Sequence, residues 1–265
     1  MIELVTPPNV PQPATQSVDE EMVLYSISDI HVGNPFFDEK GFRTFLETKI
    51  LANPRARFVV NGDVGECVII GSKGEIYEQT MSPYKQGKYA AKLLEPVAAQ
   101  CLAVTSGNHD ARPKGATSMD ITADLADALH VPYKSEGILL RLAFRAPRLG
   151  VRGPDASYVA YFTHGWAGGR TPGSQVNMFV ELGKIVVADI YALGHTHNQW
   201  THYDEITIPD LARGRMVQQK RYYAMSGSWL RYGGYSQVKG YRQVPMGCPE
   251  IRLGMIKKAV SLTIS

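Results

Sequence analysis

From Met22 onward the chain repeats one pattern: a short apolar run, a block of polar residues, then an amphipathic stretch. Met22–Ser28 (MVLYSIS), Arg57–Asn61 (RFVVN) and Cys101–Thr105 (CLAVT) are short runs that read as buried strands. In Phe37–Ala52, residues Phe42, Phe45, Leu46 and Ile50 recur near i, i+3, i+4 and i+8, the period of one helix face. Ser82–Gln100 predicts a second helix that Pro96 kinks or ends. Ser118–Leu129 predicts a third, with Ser118 as its N-cap. Tyr158–Thr163 and Ile190–Leu193 continue the strands, with a helix over Val176–Ala188 between them. After His197 the pattern turns to strands, over Arg221–Met225 and, with breaks, Ile251–Ile264. Buried strands linked by helices form parallel α/β sheets, whose ligands sit beyond the carboxyl ends of the strands. The chemistry should therefore lie just after each apolar run.

The rest of the chain sets bounds. Pro7, Pro8, Pro11 and Pro13 stand among polar residues, so residues 1–20 read as a flexible tail and 21–265 as a single domain. No run approaches the roughly 18 apolar residues of a membrane span, and the acidic start does not resemble a secretory signal. Cys67, Cys101 and Cys248 are too few and scattered for a disulfide framework or a Cys-x-x-Cys zinc site. A reducing, cytoplasmic setting without a membrane partner is expected. Net charge is only +3, yet the first 130 residues carry 11 basic and 17 acidic side chains and the remainder 17 and 8. That asymmetry suits an anionic partner, or two halves that neutralise each other.

Five strand ends deliver metal-binding groups: Ser28-Asp29-Ile30-His31, Asn61-Gly62-Asp63-Val64-Gly65-Glu66, Ser106-Gly107-Asn108-His109-Asp110, His164-Gly165 and Gly194-His195-Thr196-His197. Of the seven histidines only His130 and His202 lie outside these blocks, so the clustering is not that of scattered core histidines. Carboxylate, imidazole and carboxamide together suit manganese, zinc or iron(II), whereas calcium wants all-oxygen ligands. Asp-x-His and His-x-His would place two ligands on one side of an extended strand. The donors are too many for one tetrahedral ion and suit a pair sharing a carboxylate.

In this order the blocks DxH, GDxxE, GNHD, H and GHTH resemble the calcineurin-like metallophosphoesterases, over about two thirds of the chain, Asp29 to His197. The Gly227-Ser228-Trp229 block and the residues after it resemble phage-encoded and prokaryotic members. The resemblance implies two packed mixed β-sheets flanked by helices. It implies one ion on Asp29, His31 and His197, a second on Asn108, His164 and His195, and Asp63 bridging both. The expected cofactors are two Mn²⁺ ions, with Zn²⁺ or Fe²⁺ as alternatives. His109 would serve as general acid, oriented by a hydrogen bond with Asp110. The expected activity is hydrolysis of phosphate esters by a metal-bridging hydroxide. Glu66 departs from the usual GDxxD, which leaves its role open.

Substrate contacts are read from the residues alone. Arg112 and Arg170 follow two of the blocks and suit a phosphate clamp, or are solvated turn residues. Between Arg213 and Arg242, Arg215, Lys220, Arg221, Arg231 and Lys239 interleave with Tyr222, Tyr223, Trp229, Tyr232, Tyr235 and Tyr241. Basic groups track phosphates and aromatic faces stack bases, so Arg221 and Arg231 suit a nucleic-acid or nucleotide surface. Edge strands of a sandwich carry the same residues. The expectation leans to phosphodiester substrates. A phosphomonoesterase such as a protein Ser/Thr phosphatase and a non-catalytic binding scaffold are the alternatives, and the complete ligand set argues against the scaffold.

Overall fold

The computed structural model describes residues 2–4, 21–72, 74, 76–144, 156–166, 171–234, 237, 240 and 242–264. Two mixed six-stranded sheets pack face to face, as expected. In the first, β2 (Glu21–Ile27), β3 (Ala56–Asn61), β4 (Cys101–Thr105) and β5 (Tyr133–Lys134) run parallel, and β11 (Glu250–Gly254) and β12 (Val260–Thr263) extend it antiparallel beyond β2. The second has the order β1 (Ile2–Leu4), β6 (Ile138–Phe144), β7 (Ala156–Phe162), β8 (Ile190–Leu193), β10 (Arg215–Met225), β9 (Trp200–Asp210), with β7, β8 and β10 parallel. Ile2–Leu4, expected in the tail, instead pairs with Leu140–Leu142, and the rest of residues 1–20 lies outside the described residues.

Alternation along the strands sorts the cores. Leu24, Val59, Ala103, Leu140, Phe162, Ile190 and Ile251 fill the layer between the sheets. The opposite face of β2–β4 packs Tyr25, Ile27, Phe58 and Val60 against helices α1 (Glu39–Phe45, running on into a π turn over Leu46–Leu51), α2 (Pro83–Leu94) and α4 (Ile121–Leu129). Helix α5 (Pro172–Ile185) covers the outer face of the second sheet with Met178, Phe179 and Leu182. Among the described residues no helix is long and apolar enough to cross a membrane. All three cysteines are buried and none is in a disulfide.

One buried carboxamide fastens the two sheets where their parallel strands end. Asn61 Nδ2 donates to Thr163 O at 2.9 Å and Ala192 O at 3.2 Å in the second sheet, and lies 3.1 Å from Ser26 Oγ in the first. Its Oδ1 accepts from Thr105 Oγ1 at 2.8 Å. Ser226 Oγ adds a bond to Ser26 O at 2.6 Å. The carboxyl ends of β2, β3 and β4 are thereby held against those of β7 and β8.

Local signals placed most elements, with informative exceptions. Ser118 does not cap α4; Asp120 does, accepting from Ala123 N at 3.0 Å. Ser118 instead closes an unexpected short helix, α3 (Ala111–Thr117), in the left-handed region at φ 60°. Pro113 and Gly115 inside α3 mask it in the sequence. Pro96 does end α2, which gives way to a 3₁₀ stretch over Glu95–Gln100. Sequence patterning marks only the last five residues of β10 and misses β9 and β6.

Replacing Asn61 with Ala should cost about 2–3 kcal/mol, because it removes the Asn61 bonds of buried Thr163 O and Thr105 Oγ1, whereas Ala192 O keeps its bond from Thr163 N. Urea unfolding of the metal-free variant beside wild type measures this, and an unchanged midpoint would show that the fastening is not needed.

Candidate metal centre

Each strand-end block leaves its strand through an unusual backbone. Asp29, His31, Asp63, His195 and His197 all hold left-handed φ, at 54°, 52°, 50°, 69° and 58°. Asp and His tolerate this region better than most residues, though each instance costs of order 1–3 kcal/mol. Strain concentrated on these residues marks a site the scaffold maintains against its own local preference. It also corrects the expectation that Asp29 and His31 alternate along an extended strand; they reach one point from turned backbone. Two glycines permit the crowding. A Cβ on Gly194 would collide with Ser28 Oγ, and one on Gly107 with Asp63 Oδ1.

The donors converge in two overlapping groups. Asp29, His31 and His197 form one, and Asp63, His164 and His195 the other. In the first, the Nε2 atoms of His31 and His197 lie 3.1 Å apart, and Asp29 Oδ1 is 3.2 Å from His197 Nε2. In the second, Asp63 Oδ2 is 3.2 Å from His164 Nε2, and His195 Nδ1 is 2.8 Å from Asn108 Oδ1. Asp63 Oδ2 also lies 3.9 Å from His31 Nε2, so one carboxylate oxygen faces both groups. Its other oxygen accepts from His109 N at 2.8 Å. His31, Asp63 and His109 make a third triple that shares these atoms.

The donors fit divalent cations. Asp29 Oδ1 and His164 Nε2 are buried and make no hydrogen bond of acceptable geometry, despite polar neighbours 3.2 Å away. Bonds of about 2.0–2.1 Å to one tetrahedral ion bring donor atoms to roughly 3.3–3.4 Å of each other, close to the observed spacing. The neighbours fix the rings. His164 Nδ1 lies 3.0 Å from Asn61 O, which accepts its proton and leaves Nε2 facing Asp63. Ser28 Oγ donates to Asp29 Oδ2 at 2.7 Å, and His195 N donates to the same oxygen at 2.9 Å.

Glu66 and Asp110 take roles the sequence does not reveal. Glu66 Oε2 makes an ion-pair contact of 3.0 Å with His31 Nδ1 and accepts from Asn34 Nδ2 at 2.8 Å. Its backbone oxygen is 2.7 Å from His109 Nδ1. Asp110 makes no bond to His109. Its buried carboxylate accepts from Val64 N, Gly65 N and Gly107 N at 3.2, 3.1 and 3.0 Å, stitching two ligand loops together. The expected Asp110–His109 hydrogen bond is therefore replaced by a main-chain acceptor, which residue types alone do not disclose.

Charge is shared across the cluster. Burial opposes a proton on His31, but the Glu66, Asp63 and Asp29 carboxylates overrule it and raise His31 to about 9. Burial likewise opposes His164, and Asp63 and Asp29 carry it to about 10. Burial would raise Glu66, yet His31 and His109 hold it at about 2. Asp29 and Asp63 are held down against burial by the imidazoles around them, His197 and His164 foremost. His109 moves the other way, to about 4, through burial and the neighbouring His31.

The proposed substrate arginines divide. Arg112 joins the site, its Nη1 donating to Glu66 O at 3.2 Å. Arg221 does not; it is paired with Asp204 through Nε at 2.7 Å and lies over the Tyr223 ring. Arg213 and Arg215 are paired with Asp210, and Lys220 with Glu205, so most of the expected basic surface is a ladder of ion pairs along the β9–β10 hairpin. Arg231 is exposed, and its main chain bonds Phe36 O at 2.9 Å. Arg170, Tyr235, Lys239 and Tyr241 lie outside the described residues.

No family model and no curated protein matches the chain. Solved structures that resemble it include a predicted phosphoesterase from Streptococcus pneumoniae TIGR4, at 12% identity over 93% of this chain and 99% of that one, with a TM-score of 0.36. Wild-type Vps29 complexed with zinc from Entamoeba histolytica aligns at 13% identity, 91% and 97% coverage and a TM-score of 0.43. The calcineurin-like phosphoesterase YfkN from Bacillus subtilis aligns at 10% identity, 94% and 89% coverage and a TM-score of 0.40. The chemistry of this chain rests on its donor geometry and not on these likenesses.

Two outcomes test the centre. His31 and His164 have raised folded pKa values, so in the metal-free protein their stabilisation is complete below the ordinary histidine pKa of about 6.5. It is lost as pH rises through about 9 to 10. A cation must displace those protons, so titrating Mn²⁺ or Zn²⁺ calorimetrically at pH 7 in buffers of different ionisation enthalpy should show release of about two protons. No buffer dependence would contradict the charge assignment. Glu66→Ala should weaken one of the two cations by about 10–100-fold relative to wild type, and affinities unchanged from wild type would remove Glu66 from the centre.

Proposed function

We propose that the chain is a dinuclear metal-dependent phosphoesterase. The observation that supports this most directly is Asp63 Oδ2 standing between two buried donor groups, in which Asp29 Oδ1 and His164 Nε2 lack hydrogen-bond partners within the protein. Asp29, His31 and His197 would hold one cation, Asn108, His164 and His195 the other, and Asp63 both. The mixed nitrogen and oxygen donors, without a thiolate, suit Mn²⁺, and suit Zn²⁺ or Fe²⁺ as well. When bound, two such cations neutralise phosphate oxygens and make water acidic enough to supply a nucleophile at neutral pH.

The protein's own groups do the rest. Asn108, His109, His195 and His197 are the least buried of the cluster, so an ester approaches from their side. His109 gives its Nδ1 proton to the Glu66 carbonyl in a hydrogen bond, which leaves Nε2 to face the ester. In the metal-free chain His109 is neutral at pH 7. An anionic ester beside the ring favours its protonated form, since an opposite charge within about 4–6 Å stabilises a cation. His109 Nε2 then holds the proton that the leaving alkoxide takes as its bond to phosphorus breaks. The backbone bond from His109 N to Asp63 Oδ1 ties the acid to the bridging carboxylate, fixing the distance over which ester and proton must align. Phosphodiesters are the favoured substrates, and Arg221 takes no part in holding them, because Asp204 already balances its charge.

Metal-stripped protein reloaded with Mn²⁺ should hydrolyse bis-p-nitrophenyl phosphate faster than p-nitrophenyl phosphate. Asp63→Asn should lose more than about 100-fold of that rate together with bound metal, exceeding the loss typical for groups that merely support a ligand. His109→Ala should cost about 100-fold or more on alkyl esters and far less on nitrophenyl esters, whose leaving group needs no proton. Metal-independent turnover, or full activity in Asp63→Asn, would refute the assignment.

A further inference from the structure

Arg112 differs from the ion-paired arginines. Arg43, Arg213, Arg215, Arg221 and Arg252 each have a carboxylate partner. Among the described residues no carboxylate lies within ion-pair distance of Arg112. It is half-buried on the first turn of α3, directly after the Gly107–Asp110 block. Its Nη1 donates to Glu66 O at 3.2 Å, and the same oxygen is 2.7 Å from His109 Nδ1. Two donors on one oxygen make the guanidinium and the His109 imidazole neighbours. The His109 ring also meets His31 edge-on, with centroids 4.6 Å apart. His109 thus touches a metal donor and shares its acceptor with Arg112.

The shared Glu66 oxygen keeps the guanidinium close to the ring whose Nε2 would meet the leaving oxygen, so a charge carried by the leaving group would meet Arg112 before the paired arginines of the β9–β10 hairpin. A guanidinium offers five N–H donors, and a single carbonyl uses only one of them. A cation with donors to spare and no counter-charge is suited to receive an anion, and guanidinium matches phosphate in a two-bond fork. We infer that Arg112 selects phosphate esters whose leaving group carries a second phosphate, as every internal linkage of a nucleic-acid strand does. This rests on the phosphoesterase reading and narrows its substrate class. Arg112 acts on specificity, by meeting charge on the leaving side, and takes no part in the proton transfer at His109.

The test compares thymidine dinucleotides with and without an added terminal phosphate, placed at either end, using the Mn²⁺-loaded protein. Wild type should favour one phosphorylated dinucleotide over the plain one by about tenfold in kcat/KM. Arg112→Ala should bring that ratio close to one, and Arg112→Lys should keep part of it, because charge survives without the fork. If Arg112→Ala melts well below wild type, Arg112→Gln, which retains a donor for Glu66 O, replaces it. A wild-type ratio near one overturns the inference. So does an equal loss on charged and plain substrates in the variants, since that would be a structural effect. Metal-dependent turnover of bis-p-nitrophenyl phosphate with no charge preference overturns the inference alone. No turnover of any ester by loaded wild type overturns the phosphoesterase reading and the inference with it.

Discussion

The Asn61 carboxamide, buried where two sheets meet, holds the functional end of the molecule together. Main-chain ladders bind strands within a sheet, but only side chains and packing join one sheet to another. The apolar layer of Leu24, Val59, Leu140 and Ile190 supplies attraction without direction. Asn61 supplies the direction: its donors reach the ends of β7 and β8, while its acceptor is taken by Thr105 on β4. The position lies two residues before Asp63, and its own carbonyl accepts from His164 Nδ1. One residue therefore sets the distance between sheets and the orientation of a donor ring from the opposite sheet.

Around that joint the fold accepts costs that a merely stable protein would avoid. Carboxylates and imidazoles are buried together, five of the cluster on left-handed backbone, with glycines at 107 and 194 admitting contacts that a Cβ would block. Burying charge is favourable only when opposite charges and hydrogen bonds compensate it. In the metal-free chain the compensation is internal, through protons on His31 and His164. Cations in the same positions would replace those protons with stronger, better-centred charge and would meet Asp29 Oδ1 and His164 Nε2, which lack hydrogen-bond partners within the protein.

Away from the centre, charge has a different use. Arg213, Arg215, Lys220 and Arg221 are balanced by Asp204, Glu205 and Asp210 on the β9–β10 hairpin, where opposite charges face each other strand to strand. Acidic residues and Pro209 on the outermost strand also discourage pairing with another edge. Arg112 differs because its neighbours are a carbonyl and an imidazole, neither of which cancels its charge.

The order of the five strands that end in polar blocks is written in the chain itself, and with it the candidate donors that the fold brings together. Short apolar runs fold locally into strands, and the residues after a parallel strand must emerge at its carboxyl end. Asp29, His31, Asp63, Asn108, His164, His195 and His197 are therefore legible from residue order alone. Strands β4 and β8 are legible to the residue, because buried strands are uniformly apolar. The β9–β10 hairpin is not, since most of its residues are polar and their partners lie across a ladder that spacing does not show. Which acceptor each ring meets is settled by folding in three dimensions. His109 faces the Glu66 carbonyl instead of Asp110, and every residue has a carbonyl, so residue types carry no sign of it. Folding also decides that the Arg221 charge is cancelled and that no carboxylate pairs with Arg112 among the described residues, because that depends on which side chains the packed chain brings alongside.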